Sequence, residues 1–307
     1  MNTNFYLNTP VFQSHFLKKQ LNRNIFFKMD CYQPSGSFKI RGMETLCRHH
    51  IAAGNNRFIA SSGGNAGYSL AYVGKKMGAE VKVVVPKTTP SLMVEKIENL
   101  GALVEVYGEV WDEAHQYALQ LAAENNAVYV SPFDDPLLWA GHASMIDECT
   151  QQMKQPDTVI LSVGGGGLLC GVLEGMLKNN WKNTQVITTE TEGAASFYES
   201  YHAKKIITLN KIDTIATSLG AKKVTPKALE LASHFELNPF KMTDKEAVNA
   251  SLQFLEEYNV LVEPACGAAL SVPYFHPELI ENSESILVIV CGGVNTSVEK
   301  YLTYRKH

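Results

Sequence analysis

From about residue 57 the chain alternates short apolar runs with longer amphipathic stretches. "RFIASS", "VKVVVP", "LVEVYG" and "AVYVSP" are rich in Val and Ile and end in polar or turn-forming residues, which predicts strands. Between them lie helix-length segments such as "WDEAHQYALQLAAEN". A second series follows, with "TVILSV", "QVITTE" and "ILVIVC" as strands and "TDKEAVNASLQFLEEYN" as a strong helix. Strands joined by helical crossovers predict parallel sheets covered on both faces, hence two doubly wound α/β lobes. No fixed-period repeat, low-complexity tract or Gly/Ser-rich linker separates them. The lobes should therefore share an interface, and the cleft between them is the default ligand site.

Two of the strands run directly into glycine-rich turns and then helix: "FIASSGGNAGYSLAYVGKK" and "VILSVGGGGLLCGVLEGML". Such a turn aims backbone N–H groups and a helix N-terminus at one spot, a cradle for an anion. The four glycines Gly164 to Gly167 miss the third glycine of a dinucleotide-binding fingerprint in either register. No glycine stretch ends in Gly-Lys-Ser/Thr at P-loop spacing. A tight turn alone would explain fewer glycines than four. Upstream, "PSGSFKIRG" sets Lys39 among small residues, behind Phe38. Surface lysines are common, yet this setting also suits a nucleophile beside a flat ring. A nucleophilic lysine, one loop suited to a phosphate and another to a carboxylate are the parts that pyridoxal-phosphate chemistry on an amino acid requires.

Composition narrows the class. The chain has 307 residues and a formal net charge of -4, which gives no reason to expect nucleic-acid or anionic-membrane binding. Its longest apolar runs fall far below the roughly 20 residues of a membrane span, and "MNTNFYLNTPVF" lacks a basic start followed by an apolar core. A cytoplasmic enzyme is expected. The six cysteines are scattered and form no C-x-x-C pair, so neither a disulfide framework nor a zinc site is suggested.

The ordered stretches "SGSFKIRG", "SSGGNAG", "FDDPLLWAGHAS", "SVGGGGLLCG", "EPACGAAL" and "CGGVN" resemble the serine/threonine dehydratases of pyridoxal-phosphate fold type II, most nearly the liver-type L-serine dehydratase subgroup. The similarity runs from "TPVF" to "CGGVN". It implies a tryptophan-synthase-β-like fold with a small domain over residues 37–134 and a large cofactor-binding domain over 1–36 and 135–307. It further implies that Lys39 is the Schiff-base lysine and the base for the Cα proton, with Phe38 against the cofactor ring. The amides of Gly164, Gly165, Gly166, Gly167 and Leu168 would hold the phosphate. Asn65 would bond the ring hydroxyl, and Ser62, Gly63, Asn65 and Ala66 would bind the substrate. Cys291 stands where many relatives place Ser, beside the pyridine nitrogen. A monovalent cation, K+, is expected at Gly164, Glu190, Ala194, Ser196, Leu219 and Ala221. Relatives are commonly dimers, so a homodimer acting on a small amino acid is expected.

Departures from the family pattern steer the expected reaction. Serine racemases carry a second serine directly before the Gly-Asn pair, and here that position is Gly63. Dehydration is therefore expected over racemisation, and glycine is expected to leave room in the loop. A thiol at Cys291 leaves the pyridine nitrogen largely unprotonated, which favours β-elimination over transamination. The end of the chain soon after "CGGVN" leaves no regulatory domain to be expected. The rival readings are β-replacement, as in cysteine or cystathionine synthesis, and a non-catalytic amino-acid sensor. Other polar residues have plainer explanations. His49 and His50 diverge by about 100° on a helix and suit no shared metal. Asp134 and Asp135 suit helix capping, and Arg41 a structural ion pair. His142 is open between a site contact and a structural role.

Overall fold

The structure, a computed structural model, describes residues 4–304. Its ten strands are β1 (Val11–Gln13), β2 (Asn24–Lys28), β3 (Arg57–Ala60), β4 (Glu80–Val85), β5 (Leu103–Val106), β6 (Val128–Val130), β7 (Thr158–Ser162), β8 (Gln185–Thr191), β9 (Leu237–Met242) and β10 (Ser285–Ile289). The first six helices are α1 (His15–Leu21), α2 (Lys39–Ala52), α3 (Asn65–Met77), α4 (Ser91–Glu98), α5 (Trp111–Glu124) and α6 (Pro136–Gln152). The rest are α7 (Gly167–Lys178), α8 (Ser196–Ala203), α9 (Pro226–Ala232), α10 (Asp244–Tyr258), α11 (Pro264–Phe275) and α12 (Val298–Tyr304).

The strands form two sheets, one ordered β1-β2-β10-β7-β8-β9 and the other β5-β4-β3-β6. Every pairing is parallel except β1 with β2. The α/β class and parallel sheets agree with the hydrophobic pattern. Strand β7 is buried along its whole length, its apolar centre Val159 to Leu161 and its polar ends Thr158 and Ser162 alike, as a strand between two helical layers is. The larger sheet gains two edges that the pattern did not announce. At one edge, antiparallel β1 pairs Val11 with Lys28. At the other, β9 carries Pro239, which an edge strand tolerates because its missing N–H can face away from the ladder.

This architecture gathers the C-terminal ends of strands. After β3 come Ser61 to Gly64 and then α3; after β7 come Val163 to Gly166 and then α7. β10 leads to Val290 and Cys291, and β6 to the turn at Ser131 to Asp135. In open parallel sheets ligand crevices lie outside these ends. A buried charge cluster ties α2 to the larger sheet. Arg41, wholly buried, donates to Asp30 Oδ2 at 2.7 Å and Glu148 Oε1 at 2.7 Å, while Lys28 donates to Glu148 Oε2 at 2.5 Å. Burial raises the Asp30 carboxyl's pKa, but the charge and hydrogen bonds of Arg41 outweigh it and hold that pKa below the usual carboxylate range. No helix among the described residues is long and apolar enough to cross a membrane.

Candidate active site

Lys39 is the first residue of α2, and the backbone before it is fixed to the end of β10. Phe38 N donates to Cys291 O at 3.1 Å, and Ser37 forms an antiparallel bridge with Gly292. Gly36 makes the turn at φ +70°, with Val294 packed where a Cβ would stand. Ser35 Oγ lies 2.9 Å from Ser69 Oγ, which joins this segment to α3. The Lys39 ammonium donates to Pro132 O at 2.5 Å and lies 5.0 Å from the centre of the Phe38 ring. Burial lowers its pKa to about 8, against the opposing pull of Cys291 and Glu263. The start of a helix is also the unfavourable end for a cation. Lys39 thus sits desolvated at a helix start, with a backbone carbonyl as its immediate partner.

Asn65 opens α3, and its amide is held at both ends. Nδ2 donates to Glu263 Oε1 at 2.7 Å and Ser218 Oγ at 3.3 Å, while Oδ1 accepts from Val294 N at 2.8 Å. Glu263, the residue before α11, is the site residue that sequence reasoning missed. Burial raises its pKa to about 7, with hydrogen bonds from Ser218 and Asn65 and the charges of Lys300 and Lys39 drawing it down. Its signal was present in "EPACGAAL", where a glutamate directly precedes Pro at a helix start, but the same pattern serves an ordinary first turn.

The loop from Ser62 to Gly64 is half-buried, and Ala66 behind it is buried. The room expected at Gly63 is taken. A Cβ there would stand 2.5 Å from Thr89 Cγ2 and 3.1 Å from Val85 Cγ1. At the second loop each glycine meets a neighbour. A Cβ on Gly165 would strike the Phe133 ring at 2.2 Å, one on Gly167 the Phe133 carbonyl at 2.7 Å, and one on Gly164 the Ser218 carbonyl at 2.9 Å. Gly166 has φ +94° and precedes α7, whose first amides, through Leu168, have no acceptor within the helix. Phe133 follows Pro132, so one short turn supports both Lys39 and the glycine loop. Cys291 is buried, 3.8 Å from Ser162 Oγ; contact with Cys266 and burial raise its pKa well above the usual thiol range, so it stays neutral.

The residues expected around a cation also converge. A Cβ on Gly164 would lie 3.1 Å from Leu219 Cα, Ala221 N donates to Leu219 O at 2.7 Å, and Ala194 and Leu219 share one apolar cluster. The Glu190 carboxylate accepts from Phe197 N at 2.8 Å and Tyr198 N at 2.6 Å, capping α8. Burial raises its pKa to about 8, against those two hydrogen bonds. The adjacent Ser196 Oγ is buried without a protein partner, so the donor set has an oxygen to give a weakly charged ion.

The remaining polar residues separate cleanly. Asp135 caps α6 by accepting from Leu137 N at 2.7 Å, and Asp134 accepts from Thr225 Oγ1 at 2.6 Å. Arg41 is a structural ion-pair residue. The rings of His49 and His50 are nearly perpendicular, and the described residues contain no cluster of three or more His, Cys, Asp or Glu able to hold a metal. His142 is wholly buried, its ring centre 4.8 Å from that of Phe38 and both nitrogens unpartnered. Burial, with Lys39 and Arg41 nearby, keeps it neutral.

Comparisons agree with this arrangement. The pattern of the family described as pyridoxal-phosphate dependent enzyme matches residues 3–292. The chain is 43% identical to an L-serine dehydratase/L-threonine deaminase of Homo sapiens, covering 95% of this chain and 92% of that one. It is 40% identical to an L-serine dehydratase of Dictyostelium discoideum, over 95% and 89%. A crystal structure of a fungal L-serine ammonia-lyase from Rhizomucor miehei superposes with a TM-score of 0.94 at 35% identity, over 99% of each chain. With a lysine at a helix start, a glycine cradle and these relatives, the chain belongs to the pyridoxal-phosphate dependent enzymes of fold type II.

Proposed function

We propose that the chain dehydrates and deaminates L-serine to pyruvate and ammonia, and L-threonine to 2-oxobutanoate and ammonia, by β-elimination. The observation that carries this reading is Lys39, a desolvated lysine with a pKa near 8 whose direct partner is one carbonyl. Pyridoxal phosphate, when bound, supplies the electron sink that acidifies the substrate's Cα–H. Lys39 would anchor it, the amides of Gly164 to Leu168 would take its phosphate, Phe38 would lie against the ring, and Asn65 would bond its hydroxyl. A Cys291 thiol that keeps its own proton would leave the ring nitrogen unprotonated, which suits loss of a β leaving group. Lys39 Nζ, neutral in an appreciable fraction near pH 7, takes the Cα proton. Ser62, Gly63, Asn65 and Ala66 bind the substrate. Gly63 supplies no hydroxyl to act as a base on the other face, which disfavours racemisation.

The reading extends to K+ at Gly164, Glu190, Ala194, Ser196, Leu219 and Ala221, supported by the buried, unpartnered Ser196 hydroxyl at the start of α8, the helix that the Glu190 carboxylate caps. It also takes residues 37–134 as the small lobe, and the enzyme as a cytoplasmic homodimer. The test is 2-oxo acid release from serine and from threonine, first with K+ and then with Na+. Serine alone should yield pyruvate, faster with K+. A requirement for an added thiol would point to β-replacement, and no turnover with any hydroxy amino acid would point to a sensor.

A further inference from the structure

The first glycine loop has a support that the reaction does not use. Ser61, wholly buried at the end of β3, places Oγ 2.9 Å from Tyr129 Oη, and Tyr129 Oη lies 2.7 Å from His115 Nδ1. Tyr129 stands beside Ile59 in the β3/β6 pairing and two residues before Ser131, the start of the turn that carries Pro132 and Phe133. His115 sits half-buried on α5 with its ring stacked on Trp111, centres 4.7 Å apart and planes within 6°. Beyond Ser61 the loop packs against Thr89 and Val85 at Gly63, but its own side chains do little to hold it. Gly63 and Gly64 have no side chains, and the bond from Gly64 N to Ser62 Oγ is long at 3.4 Å.

We propose that His115 and Tyr129 are positioning residues, and that the chain His115–Tyr129–Ser61 fixes the Ser62–Gly64 loop from the protein surface and loosens when His115 is protonated. This rests on the reading that the loop binds the substrate. When neutral His115 carries its proton on Nε2, Nδ1 accepts from Tyr129 O–H, and Tyr129 Oη in turn accepts from Ser61. An imidazolium has no acceptor, so the tyrosine must turn its O–H toward Ser61 and the serine proton loses its partner. The groups facing His115 are Asp112 on its own helix, Lys223 from the segment before α9, and Tyr129 from β6; Asp112 is paired with Lys222 at 2.6 Å. Burial sets the direction of His115's pKa, downward, with Asp112 opposing and Lys223 adding to it.

The test compares wild type with His115→Ala, His115→Asn and Tyr129→Phe. KM and kcat for L-serine are measured across pH, and amide exchange is followed over residues 61–64. His115→Ala and Tyr129→Phe should each raise KM about two- to tenfold, the worth of one or two hydrogen bonds, with kcat nearly unchanged. The double variant should be no worse than either single one. Wild-type KM should rise as pH falls below the ordinary imidazole range. His115→Asn, which keeps an acceptor but cannot titrate, should retain the low KM and lose that rise. Exchange at 61–64 should quicken in His115→Ala and Tyr129→Phe. Wild-type KM together with wild-type exchange in those two variants overturns the proposal. If the wild-type protein releases no pyruvate from serine, the functional reading falls, and unchanged loop exchange would then overturn this proposal by itself.

Discussion

Lys28 ends β2 and Lys39 begins α2, and burial has drawn both ammonium groups into the protein. Lys28 donates to Glu148 Oε2 at 2.5 Å and Thr9 O at 2.7 Å, inside a cluster where Arg41, Asp30 and Glu148 balance the charge. Lys39 donates to one backbone carbonyl and has no carboxylate within ion-pair distance among the described residues. The difference separates two uses of one side chain. Burial with a full set of partners makes a lysine part of the scaffold, while burial with few brings its pKa down to about 8. Glu263 and the helix start act on Lys39 in opposite directions, and desolvation decides the balance.

The comparison can be broken from either side. Lys39→Ala should lower serine deamination by at least about 10³-fold, the range for losing a general base, before the loss of the cofactor's anchor is counted. Its thermal midpoint should hold or rise. The sign follows from the lowered pKa: below about pH 8 the folded protein holds a cation it would sooner release, so removing it relieves a cost. Lys28→Ala should do the reverse. Stranding Glu148 and Arg41 in a broken network should cost about 3–5 kcal/mol of stability in a denaturant titration, with kcat of the folded fraction within about twofold of wild type.

Two smaller effects sharpen the same contrast. The neutral fraction of Lys39 grows as pH rises through about 8, so the rate at which cofactor-free protein captures pyridoxal phosphate should climb over that interval and level off above it. An ordinary lysine would still be climbing beyond pH 10. Gly63→Ala must displace Thr89, so it should cost about 1–3 kcal/mol or shift kcat/KM for serine and threonine by less than about tenfold. Unchanged stability and unchanged kinetics with both substrates would refute it.

Much of this contrast was legible in the sequence on one side only. The small residues around Lys39, the two glycine turns and the strand–helix alternation are local signals, and each appears where the pattern puts it. Lys28, the last residue of "NIFFK", carries no such local signal. Its burial depends on Glu148, 120 residues away. Glu263 and Thr89 escaped for the same reason: the first looks like a first-turn charge, and the second fills Gly63's space only once β4 lies beside β3. Strands β1 and β9 are short or interrupted by Pro239, and only their neighbours' ladders define them.

The most direct measurement is chemical. Protein incubated with pyridoxal phosphate, reduced with borohydride and digested should carry the pyridoxyl group on Lys39 and none on Lys28. Label absent from Lys39, or spread over surface lysines with no preference for it, would contradict the account.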